Sequence, residues 1–296
     1  FDGVNILGDI VISTQKIKYA IWMSNARPIL KSSVDNIFFI FQNQIYKIKK
    51  KIFSFFFRND FFILPPDCIL ASGKKSIIYN HKKSSKTSIL WAHTLDYDLY
   101  LEEMQFKRNL LTKKAVFIDE NWADHPDYLY YNTKPVTTAD EYYPILNSFF
   151  EFLEKKYNYE IIISAHHSAD LEKYKRYYNN RKIYKGNTCE LVRITDFSIL
   201  SASTAGNFII MFEKPCIFIT TNSLEISEWG KFIHYYAYLF GKQVLNIDLS
   251  FDFDFTNEMI VNKQTYQKYK EDYIKIKESP DKYFWQMFAD YLKENF

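Results

Sequence analysis

The sequence predicts an α/β protein in which a parallel sheet is covered by helices on both faces. Three observations carry that expectation. From Lys113 onward, short apolar strands alternate with amphipathic helices, and such connections place successive strands parallel with helices packed on the sheet. The 296 residues are 47% hydrophobic and 25% charged, enough to bury one large core or two medium ones. The turn Ser201-Ala202-Ser203-Thr204-Ala205-Gly206 falls where a strand hands over to a helix, a place where open parallel sheets gather ligands.

The first third is the less regular part. Residues 37–57, IFFIFQNQIYKIKKKIFSFFF, put Phe38, Phe41, Ile45, Ile48 and Ile52 on one helical stripe. Lys47, Lys49, Lys50 and Lys51 interrupt the run, so it is not a ~20-residue apolar span. Two readings stay open: an amphipathic core helix with a solvated lysine face, or a basic and aromatic patch for peripheral membrane contact. After Pro65-Pro66 the segment from Cys68 to Gly73 reads as a strand ending in a turn, Ser76 to Tyr79 as a second strand, and Asn80 to Thr87 as a polar loop. Ile89 to Ala92 is a further strand, with His93 to Tyr100 its polar continuation.

The second half is clearer. Ala115 to Ile118 is a buried-type strand ending in Asp119-Glu120-Asn121. A helix spans Thr138 to Tyr157, because Thr138 and Glu141 have capping-box spacing and Tyr142, Ile145, Phe149 and Leu153 form its apolar stripe. Then follow the strand Glu160 to Ser164, its end His166-His167-Ser168, a charged helix from Ala169 to Tyr178, and a short strand at Ile183. A helix from Thr188 to Ile194, a strand from Phe197 to Leu200, a helix from Thr204 to Phe212 and a strand from Cys216 to Thr220 complete the alternation. Residues 232–296 read as largely helical, with Tyr266, Tyr269, Tyr273 and Ile276 at helical spacing. The expected division is 1–112, an N-terminal unit, partial and Rossmann-like; 113–250, a C-terminal Rossmann-like unit; and 251–296, a helical segment.

Composition narrows the function. A net charge of +3, from 38 basic and 35 acidic residues, is too balanced for a chain whose main partner is a nucleic-acid backbone. Cys68, Cys189 and Cys216 lie far apart, which suggests neither a disulfide framework nor a zinc site and makes a reducing compartment the default. The chain opens on Phe1 without an initiator Met or a signal-peptide pattern, and residues of the natural protein are expected to precede it.

Ligand groups are expected at the carboxyl ends of the strands. The clusters Asp119-Glu120-Asn121, His166-His167-Ser168 and Ser201 to Thr204 converge on one crevice if their strands are neighbours. A helix entered through Ser203 and Thr204 offers backbone N–H groups and a positive dipole end to a phosphate or carboxylate, against the simpler reading of a plain helix cap. His166 or His167 is a ligand contact or a core histidine with a solvated neighbour. Asp96, Asp98, Asp119 and Glu120 are candidates for a general base, with salt bridges and helix caps the alternative. Glu190 is a candidate for a ribose hydroxyl and Asn207 for a donor contact. Asp96-Tyr97-Asp98 and Asp252-Phe253-Asp254 have the DxD letters, a spacing common by chance, and no metal is assigned.

The order of a strand-end His motif, an E-L-V helix, an apolar strand, the S-T-A-G turn, a helix and Lys-Pro before a strand resembles the C-terminal domain of GT-B glycosyltransferases. The resemblance covers roughly residues 113–221 and is nearest to the bacterial sialyltransferase, polysialyltransferase and surface-polysaccharide transferase families. It implies a GT-B-like fold, two Rossmann-like domains with a cleft between them, which makes 1–112 the acceptor side and 113–250 the nucleotide-sugar-binding domain. In the sialyltransferase families a His-Pro motif and a Ser/Thr motif hold the phosphate and sugar of a CMP-linked donor, which implies similar roles for His166 or His167 and for Ser203 and Thr204. This chain has His-His-Ser at that place. Its literal His-Pro pair, His125-Pro126, lies in the loop after Asp119-Glu120 and carries less weight. The segment HTLDYDLYL also resembles surface-carbohydrate biosynthesis proteins, more weakly.

The resemblance implies an inverting, metal-independent glycosyltransferase with no cofactor. It would move a sugar, favoured as CMP-linked sialic acid or Kdo, from a nucleotide-sugar donor to a glycan or glycolipid acceptor of a bacterial surface polysaccharide. The expected location is cytoplasmic, with residues 37–57 as the candidate contact to the inner face of the membrane. Two alternatives remain: a nucleotide-sugar epimerase of UDP-GlcNAc 2-epimerase type, and a non-catalytic assembly subunit.

Overall fold

The computed structural model describes residues 18–23, 28, 65–77 and 84–295. The expectations for residues 37–57 and for Ile78 and Tyr79 lie outside the described residues. The α/β class is as expected, with every pairing between strands among the described residues parallel. Strands β1 (Ala20–Met23), β2 (Cys68–Ala71) and β3 (Ser88–Trp91) form one sheet in that order. Ser76 and Ile77 are not strand: Ser76 closes a turn, its N–H donating to Gly73 O at 2.9 Å and its Oγ accepting from Ser72 N at 3.0 Å.

The second sheet contains β4 (Lys114–Ile118), β5 (Glu160–Ala165), β6 (Ile183–Lys185), β7 (Phe197–Leu200), β8 (Cys216–Thr220) and β9 (Val244–Asn246). Its order is β6-β5-β4-β7-β8-β9. Counted within the sheet this is 3-2-1-4-5-6, the order of dinucleotide-binding sheets, with the direction of progression reversing between β4 and β7. Ile118 pairs with Ser164, and Phe117 with Ile199, so the ends of β5, β4 and β7 lie side by side.

Helices cover both faces. One face carries α3 (Ala139–Tyr157), whose Tyr142, Leu146, Phe149, Phe150 and Leu153 are buried against Phe117, Ile161 and Ile163, together with Tyr174 and Tyr178 at α4 (Leu171–Tyr177). The capping box of α3 forms as read: Thr138 Oγ1 accepts from Glu141 N, and Glu141 Oε2 from Thr138 N at 3.2 Å. The other face packs Val116, Ile118 and Phe218 against α5 (Thr188–Ile194), α6 (Gly206–Met211) and α8 (Glu228–Leu239). At ~25 cal/mol per Å2 of apolar surface, these two layers dominate the stability.

Corrections fall at the ends of elements. The segment from His93 to Tyr100 is not a polar strand end: α1 runs from Leu95 to Met104. The helix expected from Thr204 starts at Gly206, because tight turns from Ser203 O to Gly206 N and Thr204 O to Asn207 N precede it. Its N-cap is Ala205, with no side-chain cap. Short helices α2 (Asp127–Tyr130), α7 (Asn222–Glu225) and α9 (Phe255–Glu258) fill the connections. After β9, Phe251 and Phe253 pack on Phe149 and Phe152 of α3.

The C-terminal run returns to the first sheet. Helix α10 (Lys263–Tyr269) continues as a π turn, Lys270–Ile274, whose Asp272 backbone lies 2.3 Å from where a Cβ on Gly73 would be. In α11 (Phe284–Asn295), Phe284 and Met287 pack on Leu70 and Ala92. The chain therefore closes on its own first sheet.

Candidate functional site

The three polar clusters do meet at the switch point, but their bonding differs from the expectation. The chain turns at Asn121, whose φ of 57° is a left-handed conformation that Asn tolerates. Asp119, 3% exposed, turns inward. Its Oδ1 accepts from Tyr178 OH at 2.8 Å, and its Oδ2 from Tyr174 OH and from Asn121 N at 3.1 Å. Burial pushes its pKa up against those three donors and the backbone of His166. The expectation that Asp119 is a general base is corrected: both carboxylate oxygens are committed inside the core.

Glu120 reaches across the switch point. Its Oε1 accepts from Ser201 N at 3.2 Å and Ala202 N at 2.9 Å. The turn does expose backbone donors, but Glu120 rather than a bare opening holds these two. Oε2 of Glu120 and the hydroxyls of Ser201 and Tyr142 are buried without a completed hydrogen bond. Burial pushes the Glu120 carboxyl up to about 8.

At the end of β5, His166 Nδ1 lies 2.7 Å from Ser168 Oγ and accepts from Ser168 N at 3.3 Å. An acceptor at Nδ1 puts the proton of the neutral ring on Nε2. Burial, with His167 and His125 beside it, lowers the His166 pKa to about 4. The ring centroids of His166 and His167 are 4.1 Å apart, and those of His166 and His125 4.8 Å. The structure thus brings His125 of the His125-Pro126 pair into the cluster that the sequence assigned to His166-His167-Ser168. Adjacent strand ends could have signalled it. On the β7 side, Ser203 is half-buried and Thr204 exposed, with Ser203 Oγ accepting from Ala205 N at 3.3 Å and Ser203 O from Tyr236 OH at 3.0 Å.

The remaining candidates belong to α1 and its neighbours. Asp96 Oδ2 accepts from Asn207 Nδ2 at 2.8 Å, while Asn207 Oδ1 accepts from Tyr269 OH at 3.2 Å. Asn207 therefore ties α1 to α6 and α10. Burial raises the Asp96 pKa against the Asn207 bond. A cavity of about 290 Å3 opens beside Asp96, also lined by Leu99, Phe106, Asn187, Glu190 and Phe208. Glu190 pairs with Arg108 at 3.0 Å. Asp98 faces elsewhere: its Oδ1 accepts from Phe284 N at 2.9 Å and tethers α11, which corrects its expected role as a base.

The DxD letters do not form one site. Asp96 and Asp98 serve different partners, and Asp254 caps α9 through Asn257 N at 3.1 Å. Among the described residues, no group of three or more His, Cys, Asp or Glu side chains has metal-binding geometry, and no helix is long and apolar enough to cross a membrane. The cysteines are unpaired, and burial pushes the Cys189 and Cys216 thiols up to about 12, which makes them poor nucleophiles.

No family model matches the sequence, and no curated protein matches it. Among solved structures, the chain is similar to the UDP-GlcNAc 2-epimerase of Methanocaldococcus jannaschii in complex with UDP-GlcNAc and UDP. That match has a TM-score of 0.45 and 12% identity over 97% of this chain and 72% of the other. A second structure of that epimerase gives 0.41 and 10%, over 97% and 73%. MurG of Acinetobacter baumannii gives 0.39 and 11%, over 97% and 70%. The Rossmann-like character of the larger sheet stands on its own strand order rather than on these scores.

Proposed function

We propose that this chain is a nucleotide-sugar-dependent glycosyltransferase of GT-B type, acting by inversion without a metal ion. The supporting observations are a neutral His166 with its Nε2–H at the end of β5, the hydroxyls of Ser203 and Thr204 in the turn after β7, and the Asp96 carboxylate bonded to Asn207 in the helix that follows that turn. Donor phosphate would take hydrogen bonds from His166 and the two hydroxyls, while the 290 Å3 cavity beside Asp96 would take uncharged parts of the substrates. In the reaction, an acceptor hydroxyl oxygen bonds to the anomeric carbon as the bond from that carbon to phosphate breaks. The hydroxyl proton passes to Asp96, whose raised pKa suits it as a base, and the nucleotide leaves with the bonding electrons.

A CMP-linked acidic sugar remains the favoured donor through the family resemblance, with a bacterial surface glycan or glycolipid as acceptor. Melting curves with CMP, CDP, UDP, GDP and TDP test the reading. A ligand at a hundred times its Kd adds ~2.7 kcal/mol of stability. Stabilisation by none of them refutes the nucleotide site. Stabilisation by UDP alone removes the CMP-linked donor, and interconversion of a UDP-sugar without acceptor would favour the epimerase reading.

A further inference from the structure

Glu120 is the unexpected member of the crevice. It follows β4, yet its carboxyl holds the first two amide N–H groups after β7, at 3.2 and 2.9 Å, across the switch point. Those are among the donors that would otherwise face an anion. The charged and titratable groups around it come from each packed element: Asp119 beside it, Tyr142 from α3 and Tyr236 from α8. Asp119 contributes negative charge, and the two phenols are neutral.

We propose that Glu120 is a positioning residue: its carboxyl clamps the β7 turn to β4, and the protonation of that carboxyl is coupled to anion binding in the crevice. This rests on the nucleotide reading above for the identity of the anion. A neutral carboxyl satisfies both amides through its carbonyl oxygen and places no charge beside an incoming phosphate. Its O–H would sit on Oε2, which is buried without a partner, with the Tyr142 phenol within electrostatic reach of the carboxyl. An ionised carboxyl keeps the amides but adds a negative charge where the phosphate must sit. The pKa of about 8 places the change within reach of an ordinary titration. Anion affinity therefore falls as pH rises through that value.

The test uses UDP-GlcNAc and CMP-N-acetylneuraminate, whose phosphates are diesters and hold their charge between about pH 6 and about pH 9. Binding is measured by calorimetry for the wild type, Glu120→Gln and Glu120→Ala. Wild-type affinity is expected to fall about tenfold across that range, a change that one nearby charge in a partly shielded site can supply. Glu120→Gln, neutral at every pH with its amide oxygen in place of Oε1, keeps the low-pH affinity throughout. Glu120→Ala, which leaves the turn unclamped, binds about tenfold more weakly than Glu120→Gln at all pH values.

A Glu120→Gln slope equal to the wild-type slope overturns the coupling, and equal affinities of the Gln and Ala variants overturn the clamp. If neither nucleotide sugar binds the wild type, the nucleotide reading fails, and the ligand-free protein decides the inference. The melting midpoint of Glu120→Gln relative to wild type must rise with pH, because the wild type alone acquires the buried charge. A difference that stays constant overturns it.

Discussion

Tyr178→Phe tests the assignment of Asp119 as a structural group. The Tyr178 hydroxyl donates to Asp119 Oδ1 at 2.8 Å, both residues are at most 3% exposed, Tyr174 OH and Asn121 N serve Oδ2, and the His166 backbone also faces the carboxylate. Replacing the phenol removes a hydrogen bond to a buried charged group, worth ~1.5–3 kcal/mol. Part of that cost is relieved if Asp119 takes up a proton, since burial already raises its pKa; the net loss expected at neutral pH is ~2 kcal/mol. Asp119→Asn places an amide N–H2 among groups that are themselves donors and is expected to cost ~2–4 kcal/mol. Because the two changes disrupt one interaction, the double variant is expected to lose ~1–2 kcal/mol less than the sum. Urea unfolding of the four proteins, with unchanged m-values, measures each figure. A Tyr178→Phe loss below ~0.5 kcal/mol, or strict additivity, refutes the view that this carboxylate is held by the tyrosines.

Gly206→Ala would place a Cβ 2.5 Å from Tyr236 OH, whose side chain is fully buried and donates to Ser203 O. The expected cost is ~1–3 kcal/mol in urea unfolding, with weakened nucleotide binding, and unchanged stability refutes the close packing. For His166, NMR titration of the ring is expected to give a midpoint well below 6.5, at about 4. The folded state resists protonation there, so the stability contribution is present above pH 6.5 and is lost as pH falls toward 4. His125→Ala removes a neighbouring like charge and moves that midpoint upward. Asp96→Asn is expected to lower the turnover of a transfer assay by ~10²–10⁴ while retaining nucleotide binding, and undiminished turnover removes Asp96 as the base.

Strands β4, β5, β7 and β8 were legible because they are buried on both faces, whereas the half-buried β9 (Val244–Asn246) lies in a stretch that reads as largely helical and was not. Ile161 to Ile163, Phe197 to Leu200 and Cys216 to Ile219 are apolar runs of strand length, and each is at most 2% exposed. The cap of α3 was legible because both halves of its capping box lie within four residues. Helix α1 was not, since it buries only Tyr97 and Glu103 and exposes Leu99 and Met104, leaving no apolar stripe to read. Its carboxylates separate because residues two apart on a helix do not share a face, so Asp96 meets Asn207 and Asp98 meets Phe284. His125 was undervalued because it lies in a loop far along the chain from His166, and only the pairing of β4 with β5 brings the two rings together.

The turn after β7 shows how local and distant chemistry divide. Its small residues and its position between strand and helix correctly mark backbone donors, since both are local properties. The acceptor for those donors lies 81 and 82 residues away in sequence, and only the adjacency of β4 and β7 supplies it. With Glu120 on the amides of Ser201 and Ala202, what the turn presents outward is carried more by the hydroxyls of Ser203 and Thr204 than by its first backbone N–H groups. Hydroxyls can donate or accept, whereas amides only donate. Together with His166 neutral rather than cationic, they give the crevice directional hydrogen bonds, with Lys185 a fixed positive charge near the His166 ring. A phosphate held there is expected to be oriented by hydrogen-bond geometry, with an affinity that depends less on salt than in a cleft lined by several lysines or arginines.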